Sequence, residues 1–250
     1  MEAPKLITSS KNFHKPGAEQ VWVGKDILEL ISGGMYTHPL SMLREYVQNA
    51  VDSIDLACAM DIIEFNEHRV DIKIDKNSRS LVIRDNGAGI KSSEFTQRML
   101  SIGGSQKRGT SQRGFRGVGR FAALSFCRQL TFRTSAAGEN TVSEVKWDGV
   151  KFKSALRDNG EDYDLGHIIN QICELSLSEE CDIEEHFFEV VVSGVVRLQN
   201  DKLLNGKLVY EYLSQVAPVP FANNFSFAHR INEYLNQYKN INGQYPRRKH

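Results

Sequence analysis

The sequence is poor in the residues that staple or interrupt a chain. It has four cysteines, six prolines and two tryptophans in 250 residues. Cys58, Cys127, Cys173 and Cys181 stand far apart, with no close pair of metal-ligand spacing, so a disulfide framework or zinc site is not indicated and free thiols in reducing cytosol are expected. No apolar run approaches the ~18 residues of a membrane span. The start, Met1-Glu2-Ala3-Pro4-Lys5, leads into a polar stretch rather than a signal-peptide core. Neither sign of charge is in excess: 31 basic and 31 acidic residues give a net charge of zero, so a standing pull toward nucleic acid or anionic membrane is not indicated. No G-x-x-x-x-G-K-[ST] phosphate loop occurs anywhere.

What is present is an ordinary globular composition, 40% hydrophobic and 25% charged. The pattern predicts a short helix over Asp26–Ser32, stopped by Gly33-Gly34. A long helix follows to about Met60, with Thr37 as N-cap and Pro39 in its first turn. Arg69–Asp75 and Ser80–Arg84 form a hairpin, and Ser92–Ser101 a short helix. Residues 102–117, glycine-rich and charged, read as a mobile loop. Val118–Phe126 reads as helical, and Gln129–Thr134, Thr141–Trp147 and Val150–Leu156 as a meander of strands. Asp164–Ile172 reads as a helix, Phe187–Val196 as an apolar strand, and Leu203–Val216 and Phe225–Tyr238 as helices. Helices on one side of an antiparallel or mixed sheet make an α+β sandwich.

Three segments carry chemistry. On the long helix, at about 100° per residue, Glu45, Asn49 and Asp52 fall near 0°, 40° and −20°. Leu40, Leu43, Val47, Ala50 and Ile54 fall roughly within 140–220°, on the opposite side. A solvated face is the plain alternative, but such faces favour long Lys, Arg and Gln. Asn and Asp are poor mid-helix residues, and a site would explain that cost. Asp85-Asn86-Gly87-Ala88-Gly89 ends the second hairpin strand; the carboxylate can accept from an exocyclic amine, and the glycines allow a sharp turn and close approach. Gly114-Phe115-Arg116-Gly117-Val118-Gly119 precedes a helical stretch, where bare N–H groups can meet an anion. Its order is G-x-x-G-x-G, not the dinucleotide fingerprint, and no strand directly precedes it. Lys107, Arg108, Arg113, Arg116 and Arg120 add positive charge beside these glycines.

Together these segments resemble the GHKL ATPase superfamily of DNA gyrase B, the ninety-kilodalton heat-shock chaperones, histidine kinases and MutL. Leu43–Ser53 resembles its N-box in the heat-shock-chaperone form, Asp85–Gly89 the D-x-G-x-G box, Ile102–Lys107 a lid segment and Gly117–Gly119 the second glycine box. The resemblance implies a Bergerat α/β sandwich with a mostly antiparallel, mixed sheet covered on one face by helices. It implies an N-terminal arm over 1–23, an ATP-binding domain over 24–200, and a C-terminal helical extension or the start of a following domain over 201–250. It assigns Glu45 to general base, Asn49 to magnesium and Asp85 to the adenine amine. Asp52, Gly87, Gly89 and Ile90 would line the pocket. Gly104, Ser105, Lys107, Arg116, Gly117, Val118 and Gly119 would face the phosphates. ATP and Mg2+ are the implied ligands, and a nucleotide-dependent homodimer or partner protein the implied assembly.

Two features depart from the family pattern. The late strand His186-Phe187-Phe188-Glu189-Val190-Val191 carries no Gly-Thr pair to support the adenine Asp, and no basic residue after position 200 presents itself for the γ-phosphate. An ATP sensor without hydrolysis is therefore a second reading. A histidine-kinase phosphotransfer domain is a third; in those kinases the positions of Glu45 and Asp52 usually carry Asn or His, and Lys.

Overall fold

The structure, a computed structural model, describes residues 38–64, 67–101, 119–157 and 165–217, together with Phe227 and Arg230. The expected helices at Asp26–Ser32 and Phe225–Tyr238 and the loop over 102–117 fall outside those residues, or almost wholly so.

Among the described residues six strands form one sheet in the order β1-β2-β6-β3-β4-β5, and all five pairings are antiparallel. The strands are β1 (Val70–Asp75), β2 (Ser80–Asp85), β3 (Gln129–Ser135), β4 (Thr141–Asp148), β5 (Cys173–Glu180) and β6 (Phe187–Ser193). The helices are α1 (Ser41–Ala59), α2 (Ser92–Leu100), α3 (Gly149–Arg157), α4 (Leu165–Ile172) and α5 (Gly206–Val216). This is the α+β layering that the pattern of elements predicts.

Opposed residues of antiparallel strands share a face, so the register sorts the core into rows. Leu81, Val192, Leu130 and Trp147 make one row, and Ile83, Val190, Phe132 and Val145 the next. Both are buried in a single cluster with Leu43 and Tyr46 of α1 and Phe95 of α2. One step further along, the row reads Asp85, Phe188, Thr134, Ser143. The apolar core thus ends in a buried polar edge, and that edge positions the site.

Three expectations need correction. Residues 150–156 are helical, within α3, not a strand. Val150-Lys151-Phe152-Lys153 alternates like a strand, but Asp148 Oδ1 accepts from Val150 N (2.8 Å) and Lys151 N (2.9 Å), a helix N-cap that starts α3. The run to Phe126 is two short 3-10 turns, Gly119–Phe121 and Leu124–Phe126. The long helix begins at Ser41 rather than beside Thr37: His38–Leu40 form a turn, with Ser41 N and Oγ donating to His38 O at 3.0 and 2.6 Å. Beyond β6, a 3-10 stretch over Gln199–Leu204 precedes α5, and Asn205 caps α5 by accepting from Lys207 N and Leu208 N.

Candidate nucleotide site

The site is assembled where α1 docks onto the end of β2. The Asp85 carboxyl, 4% exposed, accepts from Gly87 N at 2.9 Å, and also from the Ser53 hydroxyl and the Phe188 N–H. Ala88 N donates to Ser53 O at 3.1 Å. This close docking explains Gly87, since a Cβ there would lie 2.2 Å from Ser53 Oγ and 2.6 Å from the Ser53 carbonyl carbon. Gly89 has φ +66°, and a Cβ would lie 2.0 Å from Ser135 O, so both the backbone sign and the space demand glycine. Burial outweighs three donors and pushes the Asp85 carboxyl up to about 7.

Around this point lie groups that sequence reasoning missed. Thr134 Oγ1 accepts from Ile90 N (3.0 Å) and donates to Phe187 O (2.7 Å), fixing the chain just after the glycines. Thr134 lies on β3, in the same row as Asp85, and not on the late strand where the family's threonine is expected. It bonds to backbone rather than to the carboxyl. His186 Nδ1 lies 2.8 Å from Gly87 O; a carbonyl only accepts, so Nδ1 carries the proton. The strict alternation Leu130, Phe132, Thr134 held a signal for Thr134. Nothing local marked Ser53 or His186, whose roles depend on packing between distant segments.

The helix buries more than the wheel's apolar stripe, since Met42, Tyr46 and Asp52 are buried as well. Leu43, Val47, Ala50 and Ile54 are buried, Leu43 in the core cluster with the sheet. Glu45 and Asn49 are half-buried, and Asp52 is buried at 4% exposure. The Glu45 carboxylate is held by its neighbour Arg44 at 2.9 Å. Eight residues separate Glu45 from Ser53, about 12 Å of helix rise. A ligand anchored at Asp85 can therefore extend along α1 toward Glu45. Ile90 is buried next to Gly89. Gly119 opens the first 3-10 turn. Gly104, Ser105, Lys107, Arg116, Gly117 and Val118 lie outside the described residues.

The four cysteines are free, as expected. Cys58 Sγ lies 2.7 Å from His68 Nε2 in a cleft of about 800 Å3 beside the end of α1. Burial and Asp55 push its thiol up, which disfavours the nucleophilic thiolate. Among the described residues no group of three or more His, Cys, Asp or Glu side chains forms a metal cluster. No described helix is long and apolar enough to cross a membrane.

Residues 36–173, more than half of the chain, match the profile of the histidine kinase-, DNA gyrase B- and HSP90-like ATPases. The chain is also similar to the chaperone protein HtpG of Escherichia coli K12, with 32% identity over 142 residues, covering 50% of this chain and 23% of HtpG. The same identity and coverage hold for HtpG of E. coli O157:H7. The match thus spans less than a quarter of the length of these relatives. The family match supports ATP as the ligand, and it agrees with the antiparallel sheet, the helix layer and the order of the glycine segments along the chain. The chain belongs to the family of histidine kinase-, DNA gyrase B- and HSP90-like ATPases.

Proposed function

We propose that this chain binds ATP with magnesium and hydrolyses it slowly. The observation that carries this is the buried Asp85 carboxyl, seated against Ser53 of α1 at one end of the helix face that carries Glu45, Asn49 and Asp52. The exocyclic amine of adenine would donate to Asp85, and Gly87 and Gly89 let the base approach. The phosphates then run toward the N-terminal half of α1. There the Glu45 carboxylate would orient a water in line with the γ-phosphorus and accept its proton as the new O–P bond forms and the bond from the γ-phosphorus to the β-phosphate oxygen breaks, releasing ADP and phosphate. The Asn49 amide oxygen is a hard donor, and one such side chain with phosphates and waters suits Mg2+, which keeps most of its hydration. Bound magnesium would neutralise charge developing on the phosphoryl oxygens. The glycine-rich segment over 102–117, proposed on sequence grounds, would close over the nucleotide and gate a homodimer or partner contact.

The Arg44–Glu45 ion pair favours a second reading, a sensor that binds ATP with little turnover, because a carboxylate oxygen already engaged by a guanidinium is less available to orient a water. Titration with a fluorescent ATP analogue in magnesium and then in EDTA tests the binding step. Tighter binding with magnesium is expected; equal affinity removes the metal assignment, and no binding in either removes the nucleotide. Phosphate release by the purified chain separates the ATPase from the sensor.

A further inference from the structure

Arg120 directly follows Gly119 and is tied to α1. Tyr46, next to Glu45, donates its hydroxyl to Arg120 O at 2.9 Å and accepts from Ala123 N at 3.1 Å. The guanidinium lies over the Phe121 ring, 4.7 Å from its centroid, and Nη2 donates to Ser101 O just beyond α2. The residue as a whole is half-buried, but its Nε is sealed from solvent and makes no hydrogen bond. No described carboxylate pairs with it. Its charged neighbour is a second guanidinium, Arg98, whose own ion pair is to Glu94 at 3.5 Å. Burial first, and then Arg98, bring Arg120 down to about 10, so it is still a cation at neutral pH.

Taking a guanidinium out of water with no counter-charge is strongly unfavourable, and a buried donor without an acceptor adds to that cost. An anion arriving from outside the chain removes both penalties. We propose that Arg120 binds the terminal phosphate of ATP. The proposal rests on the ATP reading of the site. Adenine on Asp85 fixes one end of the ligand near Ser53, and the Arg120 backbone is fastened to Tyr46, seven residues or about 10 Å of helix rise toward the N-terminus of α1. A guanidinium offers a planar fork of donors suited to a phosphate, and the buried Nε–H of Arg120 has no acceptor among the described residues.

Calorimetry with magnesium and either a non-hydrolysable ATP analogue or ADP, on wild type, Arg120→Met and Arg120→Lys, tests this. In Arg120→Met the ATP analogue should weaken roughly 10–100-fold, the usual loss for a charge-assisted hydrogen bond, while ADP stays within about threefold. Arg120→Lys should fall between. Equal weakening of both nucleotides, the signature of a merely structural clamp on Ser101, overturns the proposal, as does unchanged ATP affinity. Should Arg120→Met fail to fold, the wild-type Arg120 Nε resonance decides: a shift with the ATP analogue and none with ADP supports it, and equal shifts overturn it. Absence of nucleotide binding by the wild-type chain overturns the ATP reading itself, an outcome distinct from these.

Discussion

The two faces of the sheet treat charge in opposite ways. On one, the register sets Arg84 opposite Glu189, Glu189 opposite Arg133 and Arg133 opposite Glu144. The alternation closes into ion pairs: Arg84–Glu189 at 3.4 Å, Arg133–Glu189 at 3.2 Å, Arg133–Glu144 at 3.0 Å and Lys146–Glu144 at 2.8 Å. On the helix-covered face, Asp85 is given donors but no ion pair among the described residues, and Arg84 acts on it most weakly of the groups around it. Arg120 is a cation with no carboxylate partner among the described residues. Charges that neutralise one another complete a fold; buried polar groups left without a counterpart are open to a ligand.

The sharpest way to break this comparison is at Glu45, the carboxylate proposed to act on water. Glu45→Ala should retain ATP binding and lose turnover by about 10²–10⁴, the usual range for a general base. Phosphate release and calorimetry on the same preparation check it. Turnover at the wild-type rate would remove Glu45 as base, and loss of binding would make it structural.

Asp85→Asn should weaken ATP binding by roughly 2–4 kcal/mol while the chain stays folded, because an amide in that nest can set donor against donor. Wild-type affinity in a folded variant would move the adenine site elsewhere. The same residue has a pH signature. Its folded value, about 7, lies above the ordinary 3.8, so the native state holds a proton that the unfolded chain releases. Its contribution to stability is full below about pH 4 and is lost as pH rises through 7, as much as ~4 kcal/mol in all. Denaturant unfolding from pH 4 to pH 8 should show a downward slope in wild type that Asp85→Asn lacks. Parallel profiles would mean that Asp85 is ionised in the fold throughout.

Which of these features a sequence can show depends on how far apart their determinants lie. The Glu45, Asn49 and Asp52 stripe and the Asp85–Gly89 turn are contiguous patterns, readable from helical period and glycine spacing alone. Strands β2 and β6 announce themselves by apolar runs, and β3 by its alternation. The edge strand β5 does not: Glu174 and Ser176 are exposed, and Leu175, which should face the core, is 42% exposed. α3 hid behind the alternation at 150–153, although the Asp148 cap was there to be read. Ser53, Thr134, His186 and the Tyr46–Arg120 link were beyond reach, because each acquires its role only once register and helix docking bring distant segments together.

The smallest effect belongs to the neutralised face. Glu189 is buried enough to matter, its side chain 12% exposed, yet both of its arginines have second carboxylates, Glu185 for Arg84 at 2.5 Å and Glu144 for Arg133. Glu189→Gln therefore strands neither cation. Partly exposed pairs contribute little, so the loss should be about 1 kcal/mol or less, and it should shrink further in ~0.5 M salt as screening replaces the lost partner. ATP affinity should not move, since the side chain points away from Asp85's row. Denaturant unfolding at low and high salt, with nucleotide titration beside it, checks both halves. If Glu189→Gln weakened ATP binding as much as Asp85→Asn, the two faces would be electrostatically coupled through the sheet, and the division drawn between them would fail.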